Sequence, residues 1–137
     1  MLRPQGKGPF PAIIALHGCG GLWQRDGTLT ARHADWGERL RTWGYVVLFP
    51  SSYGSRGYTN LCKKKNRPVK YSHRIEDLRA AADWLAAQPF VDPGKIAVFG
   101  WSGGGSTLLR ALAPDKAPRK AKFRAAIALY PGCKTIL

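Results

Sequence analysis

Between Lys95 and Leu109 the chain runs from an apolar stretch, Ile96-Ala97-Val98-Phe99, through Gly100-Trp101-Ser102-Gly103-Gly104-Gly105, into a helix-like pattern of Leu108, Leu109 and Leu112. This reads as a short buried strand, a sharp turn carrying one serine, and a helix. Few folds accommodate that succession. The strand aims at the turn, the turn lifts the Ser102 hydroxyl clear of the sheet, and the helix start offers backbone N–H groups to a developing negative charge. That is the layout of a nucleophile elbow. The glycines have a steric reason: the turn needs a backbone conformation that is costly for a residue with a Cβ, so its neighbours must be small. Three glycines in a row are poor helix formers, so helix propensity does not explain them. By composition alone, Gly-x-Ser-x-Gly arises by chance in roughly one such chain in twelve. The strand before it and the helix after it carry the specificity.

The rest of the chain supplies the sheet this elbow needs. Pro11-Ala12-Ile13-Ile14-Ala15-Leu16, Tyr45-Val46-Val47-Leu48-Phe49 and Ala125-Ala126-Ile127-Ala128-Leu129-Tyr130 are continuous apolar runs, the pattern of strands buried on both faces. Helical spacing separates them: Ala34, Trp36, Leu40 and Trp43 before Gly44, then Ile75, Leu78, Ala82 and Leu85 from Ser72 to about Gln88. Phe90 to Gly94 reads as a turn before the elbow strand. The order strand, helix, strand, helix, strand, helix, strand predicts a parallel sheet with helices on both faces, since right-handed crossovers leave few alternatives. The cluster His17-Gly18-Cys19-Gly20-Gly21-Leu22, the segment 50–73 and the elbow then share the sheet edge where ligands bind in such folds. At 137 residues the chain is one domain, without repeats or linkers.

These motifs together resemble an α/β-hydrolase, and more closely the dienelactone hydrolase family. The resemblance rests on Pro9-Phe10-Pro11-Ala12, His17 to Leu22, Gly44-Tyr45-Val46-Val47 before Pro50, Asp92-Pro93-Gly94-Lys95-Ile96, Gly100 to Gly105, and Ala128-Leu129-Tyr130-Pro131-Gly132. It spans nearly the whole chain. It implies a three-layer α/β domain hydrolysing carboxylic esters or lactones, without metal or organic cofactor. Ser102 would be the nucleophile. The backbone N–H groups of Gly103 and Cys19 would form the oxyanion hole. Two departures stand out. Ser51 occupies a position where the family usually has aspartate. In this fold the triad runs nucleophile, acid, histidine, yet after Ser102 the only acid is Asp115 and no histidine follows. The expectation is a sheet incomplete at its C-terminal side, an elbow without its base, and a chain inactive or nearly so by itself.

The other candidates are weighed against ordinary structural roles. His17 follows the first strand and reads as holding its loop, with action as a base the lesser alternative. His33 and His73 read as solvated residues near helix starts. Arg56, above the expected site, is a candidate for binding a substrate carboxylate, against the blander reading of a solvated charge. Asp77 and Asp92 read as serving a helix start and a turn. The cysteines, Cys19, Cys62 and Cys133, match no zinc pattern. One disulfide plus a free thiol and three reduced thiols are both allowed, with Cys62 and Cys133 favoured as a structural pair or idle thiols.

Charge leaves one competing class. With 22 Lys and Arg against 8 Asp and Glu, the net charge of +14 favours anionic partners. The segment 50–73 is the longest without a periodic pattern, and loops of that length are usually functional or disordered. It places Arg56, Lys63, Lys64, Lys65, Arg67 and Lys70 among Tyr53, Tyr58 and Tyr71, and a basic loop runs from Pro114 to Lys122. Interleaved cations and aromatics can follow a nucleic-acid strand, but no nucleic-acid fold motif accompanies them, so a small-molecule ester or lactone is the favoured partner. A third reading is a truncated hydrolase without activity, whose open, apolar fourth strand would pair with a second copy of the chain. The N-terminus lacks the apolar core of a signal peptide, and Ala12–Leu16 is too short to span a membrane. The expectation is a cytoplasmic chain with no membrane partner.

Overall fold

The computed structural model describes residues 1–113 and 123–132. The basic loop of residues 114–122, with Asp115, and the segment 133–137, with Cys133, lie outside the described residues. Four strands form one parallel sheet: β1 (Phe10–Leu16), β2 (Val46–Leu48), β3 (Val91–Trp101) and β4 (Ala125–Leu129). Three helices connect them: α1 (Ala31–Thr42), α2 (Tyr71–Ala86) and α3 (Gly103–Ala111). The strand order is β2-β1-β3-β4.

Alternation along β1 divides the interior in two, because successive side chains of a strand leave opposite faces. Ala12, Ile14 and Leu16 face a core shared with Ile75, Leu78, Ala82 and Leu85 of α2 and Leu108 and Ala111 of α3. Ile13 and Ala15 face a second core with Leu40 of α1, Val47, Phe49, Phe99 and Trp101. Both faces are covered, which makes the domain the expected three-layer α/β-hydrolase-like sandwich. β2 is shorter than its apolar run, Tyr45 to Phe49, with only Val46–Leu48 paired. Trp43 is 63% exposed and caps the end of α1 instead of joining its buried face.

The expected turn before the elbow strand is an irregularity inside β3. Phe10 pairs with Val91 and Ala12 with Ile96, so Asp92 to Lys95 loop out while pairing continues on either side. Asp92 closes this excursion by accepting from the Gly94 N–H at 3.0 Å and pairing with Lys95 at 3.0 Å.

The segment 50–73 has structure of its own. It carries a short 3-10 helix at Gly54–Arg56, and Tyr53, Leu61 and Val69 bury together as a small third cluster. A tie from the Leu61 N–H to the Cys19 carbonyl, 2.9 Å, docks it against the loop after β1.

The topology also fixes where a site belongs. From β1 the chain moves outward to β2, then crosses back over β1 to β3. Connections leaving the carboxyl ends of the adjacent β1 and β3 thus diverge and open a crevice between them. His17 to Gly21 and Ser102 lie at that crevice.

Candidate functional site

Ser102 sits between β3 and α3 at φ 51° and ψ −116°. A non-glycine residue in this region costs on the order of 1–3 kcal/mol and persists only where its surroundings enforce it. The Ser102 N–H donates to the Leu129 carbonyl at 2.9 Å, and the Ser106 N–H donates to the Ser102 carbonyl at 2.9 Å. The turn is thereby tied to β4 on one side and to its own helix on the other. The glycines permit the crowding. A Cβ on Gly100 would lie 2.6 Å from the Gly104 carbonyl carbon, and one on Gly104 would lie 2.1 Å from the Leu16 carbonyl oxygen. A Cβ on Gly105 would meet only contacts of 3.2 Å or more.

The loop after β1 lies directly against this turn. The Cβ position of Gly18 is 3.4 Å from the Ser102 Cβ and 4.0 Å from its Oγ. The Cβ position of Gly103 is 3.6 Å from the Cys19 backbone nitrogen. Gly103 is the first residue of α3, so its N–H has no partner within the helix. The loop carrying Gly18 and Cys19 is therefore packed against the turn carrying Ser102 and Gly103.

Cys19 is bonded to Cys62, across a separation of 43 residues. Of the alternatives open from sequence, this is one disulfide, and it corrects the reading of Cys62 and Cys133 as a structural pair or idle thiols, because Cys62 is bonded to Cys19. Sequence spacing could not find the bond, because only the docking of segment 50–73 on the loop after β1 brings the two together. Closing a loop of this length constrains the unfolded chain by about 4 kcal/mol. Cys62→Ser should therefore lower the urea midpoint by an amount corresponding to about 2–4 kcal/mol. An unchanged midpoint in the variant would show that the bond does not stabilise the fold.

The histidines do not serve Ser102. His17 is 1% exposed and its ring meets Tyr53 edge-on at 4.5 Å. Its Nδ1 bonds the Gly18 carbonyl at 2.8 Å, which fits the holding role. Burial, then the Arg74 charge, push its pKa down to about 3. His33 is corrected from a solvated residue to a core one, 3% exposed, with Thr30 Oγ1 bonded to its Nδ1 and with the rings of Trp101 and Phe49 against it at 5.2 and 5.8 Å. Burial, then Arg32, bring its pKa to about 4. His73 accepts from the Lys70 N–H at 3.3 Å, one turn into α2. Among the described residues no imidazole hydrogen-bonds Ser102 Oγ.

Arg56 is likewise not free to receive a carboxylate. It grips Asp77 through two contacts of 2.8 and 2.9 Å and donates to the Ser52 carbonyl at 2.8 Å. Asp77 is thus a partner for Arg56 and not a helix-start residue. The side chain that sequence reading passed over is Arg74. It is 3% exposed, its Nη2 donates to the His17 carbonyl, and its Nη1 lies 3.2 Å from the Cβ position of Gly103. The available signal was its spacing: Arg74 stands four residues before Leu78 and eight before Ala82, on the apolar face of α2.

Ser51, at the departure from the family pattern, accepts from the Trp23 indole N–H at 3.0 Å. Among the described residues no cluster of His, Cys, Asp and Glu could hold a metal, and no helix is long and apolar enough to cross a membrane.

Comparisons with known proteins agree with this geometry. The profile of the prolyl oligopeptidase family matches residues 32–136. A protein assigned as dipeptidyl-aminopeptidase B from Colletotrichum graminicola is 37% identical over 76 residues, which is 53% of this chain and 8% of that protein. Among solved structures, one assigned as a dienelactone hydrolase from Klebsiella pneumoniae superposes with a TM-score of 0.67 at 23% identity, over 94% of this chain and 52% of that one. Dipeptidyl peptidase 4 of Porphyromonas gingivalis gives a TM-score of 0.66 at 25% identity, over 94% of this chain and 18% of its own. A thermophilic esterase of Thermogutta terrifontis gives 0.64 at 22% identity, over 99% and 52%. The chain thus spans about half the length of the smaller hydrolases it matches and a small part of the peptidases. With its elbow at the crevice between β1 and β3, and with this profile over most of its length, the chain belongs to the prolyl oligopeptidase family and has a dienelactone hydrolase-like α/β fold.

Proposed function

We propose that this chain is the nucleophile-bearing part of a serine hydrolase that cleaves carboxylic esters or lactones through an acyl-enzyme at Ser102. The observation that supports it best is the strained Ser102 backbone at the start of α3, with the loop of Gly18 and Cys19 packed against it. In this reading Ser102 Oγ attacks the carbonyl carbon and its proton passes to a base. The carbonyl oxygen takes up the negative charge against the N–H groups of Gly103 and Cys19. Collapse expels the alcohol, and water then releases the acid. No cofactor is required for these steps.

A serine without a base is a weak nucleophile, and the sequence offers no histidine after Ser102. The chain alone should therefore turn over p-nitrophenyl acetate on the order of 10⁴- to 10⁶-fold more slowly than a complete triad. Added imidazole supplies a base. A neutral serine-directed reagent, diethyl p-nitrophenyl phosphate, should then label wild-type chain and leave Ser102→Ala unlabelled. Failure to label with imidazole present would remove Ser102 from the role. Rapid turnover that disappears in Ser102→Ala would instead show that the chain supplies its own base.

The family match and the dipeptidyl-aminopeptidase relatives favour a second reading, cleavage of peptide bonds through the same acyl-enzyme. Aminoacyl p-nitroanilides in place of the ester separate the two readings.

A further inference from the structure

The Cys19–Cys62 bond joins the loop after β1 to segment 50–73. The loop it holds is the one packed against the turn of Ser102. We propose that this bond is a redox switch on the nucleophile. Closed, it fixes the loop against the turn; opened by a dithiol, it releases the loop and slows reaction at Ser102. The proposal rests on the hydrolase reading above and gives that site a mode of regulation.

Cys19 stands where a small movement reaches the chemistry. The Cβ position of Gly18 is 3.4 Å from the Ser102 Cβ, and that of Gly103 is 3.6 Å from the Cys19 backbone nitrogen. A shift of this loop therefore changes the wall beside the Ser102 hydroxyl. In the hydrolase reading Cys19 also donates to the oxyanion, and loss of one such donor slows catalysis on the order of 10²- to 10³-fold.

Segment 50–73 is what holds Cys19 from outside its own loop. The Leu61 N–H donates to the Cys19 carbonyl at 2.9 Å. Gly21 comes so near Thr59 that a Cβ on it would stand 1.9 Å from the Thr59 carbonyl oxygen. Yet from Gly57 to Asn66 every residue but Leu61 is exposed, and this stretch has neither helix nor strand. Lys63, Lys64 and Lys65 repel one another within it. Such a stretch opens at low cost in free energy, so the covalent bond is what keeps it docked and keeps Cys19 in place.

The bond is also within reach of a reductant. Cys62 is exposed and, with Gly20, Arg25, Lys63 and Lys64, lines a cavity of about 670 Å³. Among the described residues no acid lines it. Exchange begins with attack by a thiolate, an anion that this cationic wall attracts. One thiolate of the dithiol attacks Cys62 Sγ, the S–S bond breaks, and Cys19 leaves as a thiolate that takes up a proton. The second thiolate of the dithiol then attacks its partner sulfur. Cys62 leaves as a thiolate, stabilised by the adjacent ammonium groups, and is protonated in turn. The dithiol gives up two electrons and becomes a disulfide, and the chain receives them as two thiols.

The test equilibrates the full chain in dithiothreitol buffers of graded oxidised-to-reduced ratio and removes the reagent without air. Ser102 is then labelled by diethyl p-nitrophenyl phosphate with imidazole present. The reduced chain should label roughly ten-fold more slowly or less, and reoxidation should restore the rate. Hydrogen exchange of the Leu61 amide should quicken roughly ten-fold in step with reduction. Cys133→Ser should respond as the wild type does, and Cys62→Ser should label slowly in every buffer. Equal labelling of the two redox states would overturn the switch and leave the hydrolase reading intact. Loss of the helical circular dichroism on reduction would also overturn it, making the bond a structural tie. A response lost in Cys133→Ser would overturn the assignment to this pair. No label in either state would overturn the hydrolase reading and, with it, the switch.

Discussion

Gly104→Ala is expected to cost more than about 3 kcal/mol of stability, a large share of the roughly 5–15 kcal/mol that holds an ordinary domain folded. A Cβ at this position would stand 2.1 Å from the Leu16 carbonyl oxygen, 2.7 Å from its carbon and 2.9 Å from the His17 carbonyl oxygen. All three are backbone atoms at the carboxyl end of β1, so no side chain can swing aside. α3 would have to move off the sheet by about an ångström, and interiors packed at crystal density resist that. The helix start would move with it, taking Gly103 away from Cys19. Gly105→Ala is the control. Its closest contact would be 3.2 Å, to the Gly100 carbonyl oxygen, and helix propensity alone favours alanine over glycine by about 1 kcal/mol. Urea denaturation of the two variants should therefore give a severe loss at position 104 and little change at position 105. Equal, small effects would mean that α3 does not press on β1 as described.

Acidification supplies the second large effect. His17 and His33 are held at about 3 and about 4, against an ordinary value of 6.5, both chiefly by burial. Their folded forms stay neutral while the unfolded chain takes up protons as pH falls below 6.5. The unfolded state then binds more protons, so stability drops with falling pH and is recovered as pH rises through 6.5. Each histidine contributes up to about 1.4 kcal/mol per pH unit within that window. Between pH 6.5 and 5 most carboxylates remain ionised, so the slope reports on the histidines. Stability from urea unfolding at pH 7, 6 and 5 should fall by roughly 2–4 kcal/mol overall. His33→Gln should reduce the slope by about half. A flat profile would mean that both rings are protonated in the folded chain, and half the slope that one of them is.

The two effects mark different levels of legibility. The strands β1, β2 and β4 and the elbow could be placed from sequence because each rests on local rules, but β4 is not the doubly buried strand its apolar run predicts: it is largely exposed, Ile127 to 55%. A strand buried on both faces needs an unbroken apolar run, and a strained serine needs small neighbours. The three-layer arrangement followed, since right-handed crossovers leave a parallel strand series little choice. Ser102, Gly103 and Cys19 could be singled out for the same reason: each belongs to a short motif at the end of a strand.

Contacts between segments distant in sequence could not be read in that way. His33 looked solvated because Arg32, Ala34 and Asp35 surround it in sequence, but the helix turns its ring onto Trp101 and Phe49. Arg56 looked available because the acid that binds it, Asp77, lies 21 residues away on α2. The partner of Cys19 depended on how segment 50–73 folds back over the loop after β1. Sequence by itself determined the elbow, the strand series and the layered fold, because periodicity and turn chemistry act over a few residues. Only the tertiary structure decided that Cys19 bonds Cys62, that Gly104 and not Gly105 bears the tightest packing, and that Arg74 stands buried beside the elbow. Each of those depends on which backbone or charge arrives from elsewhere in the chain.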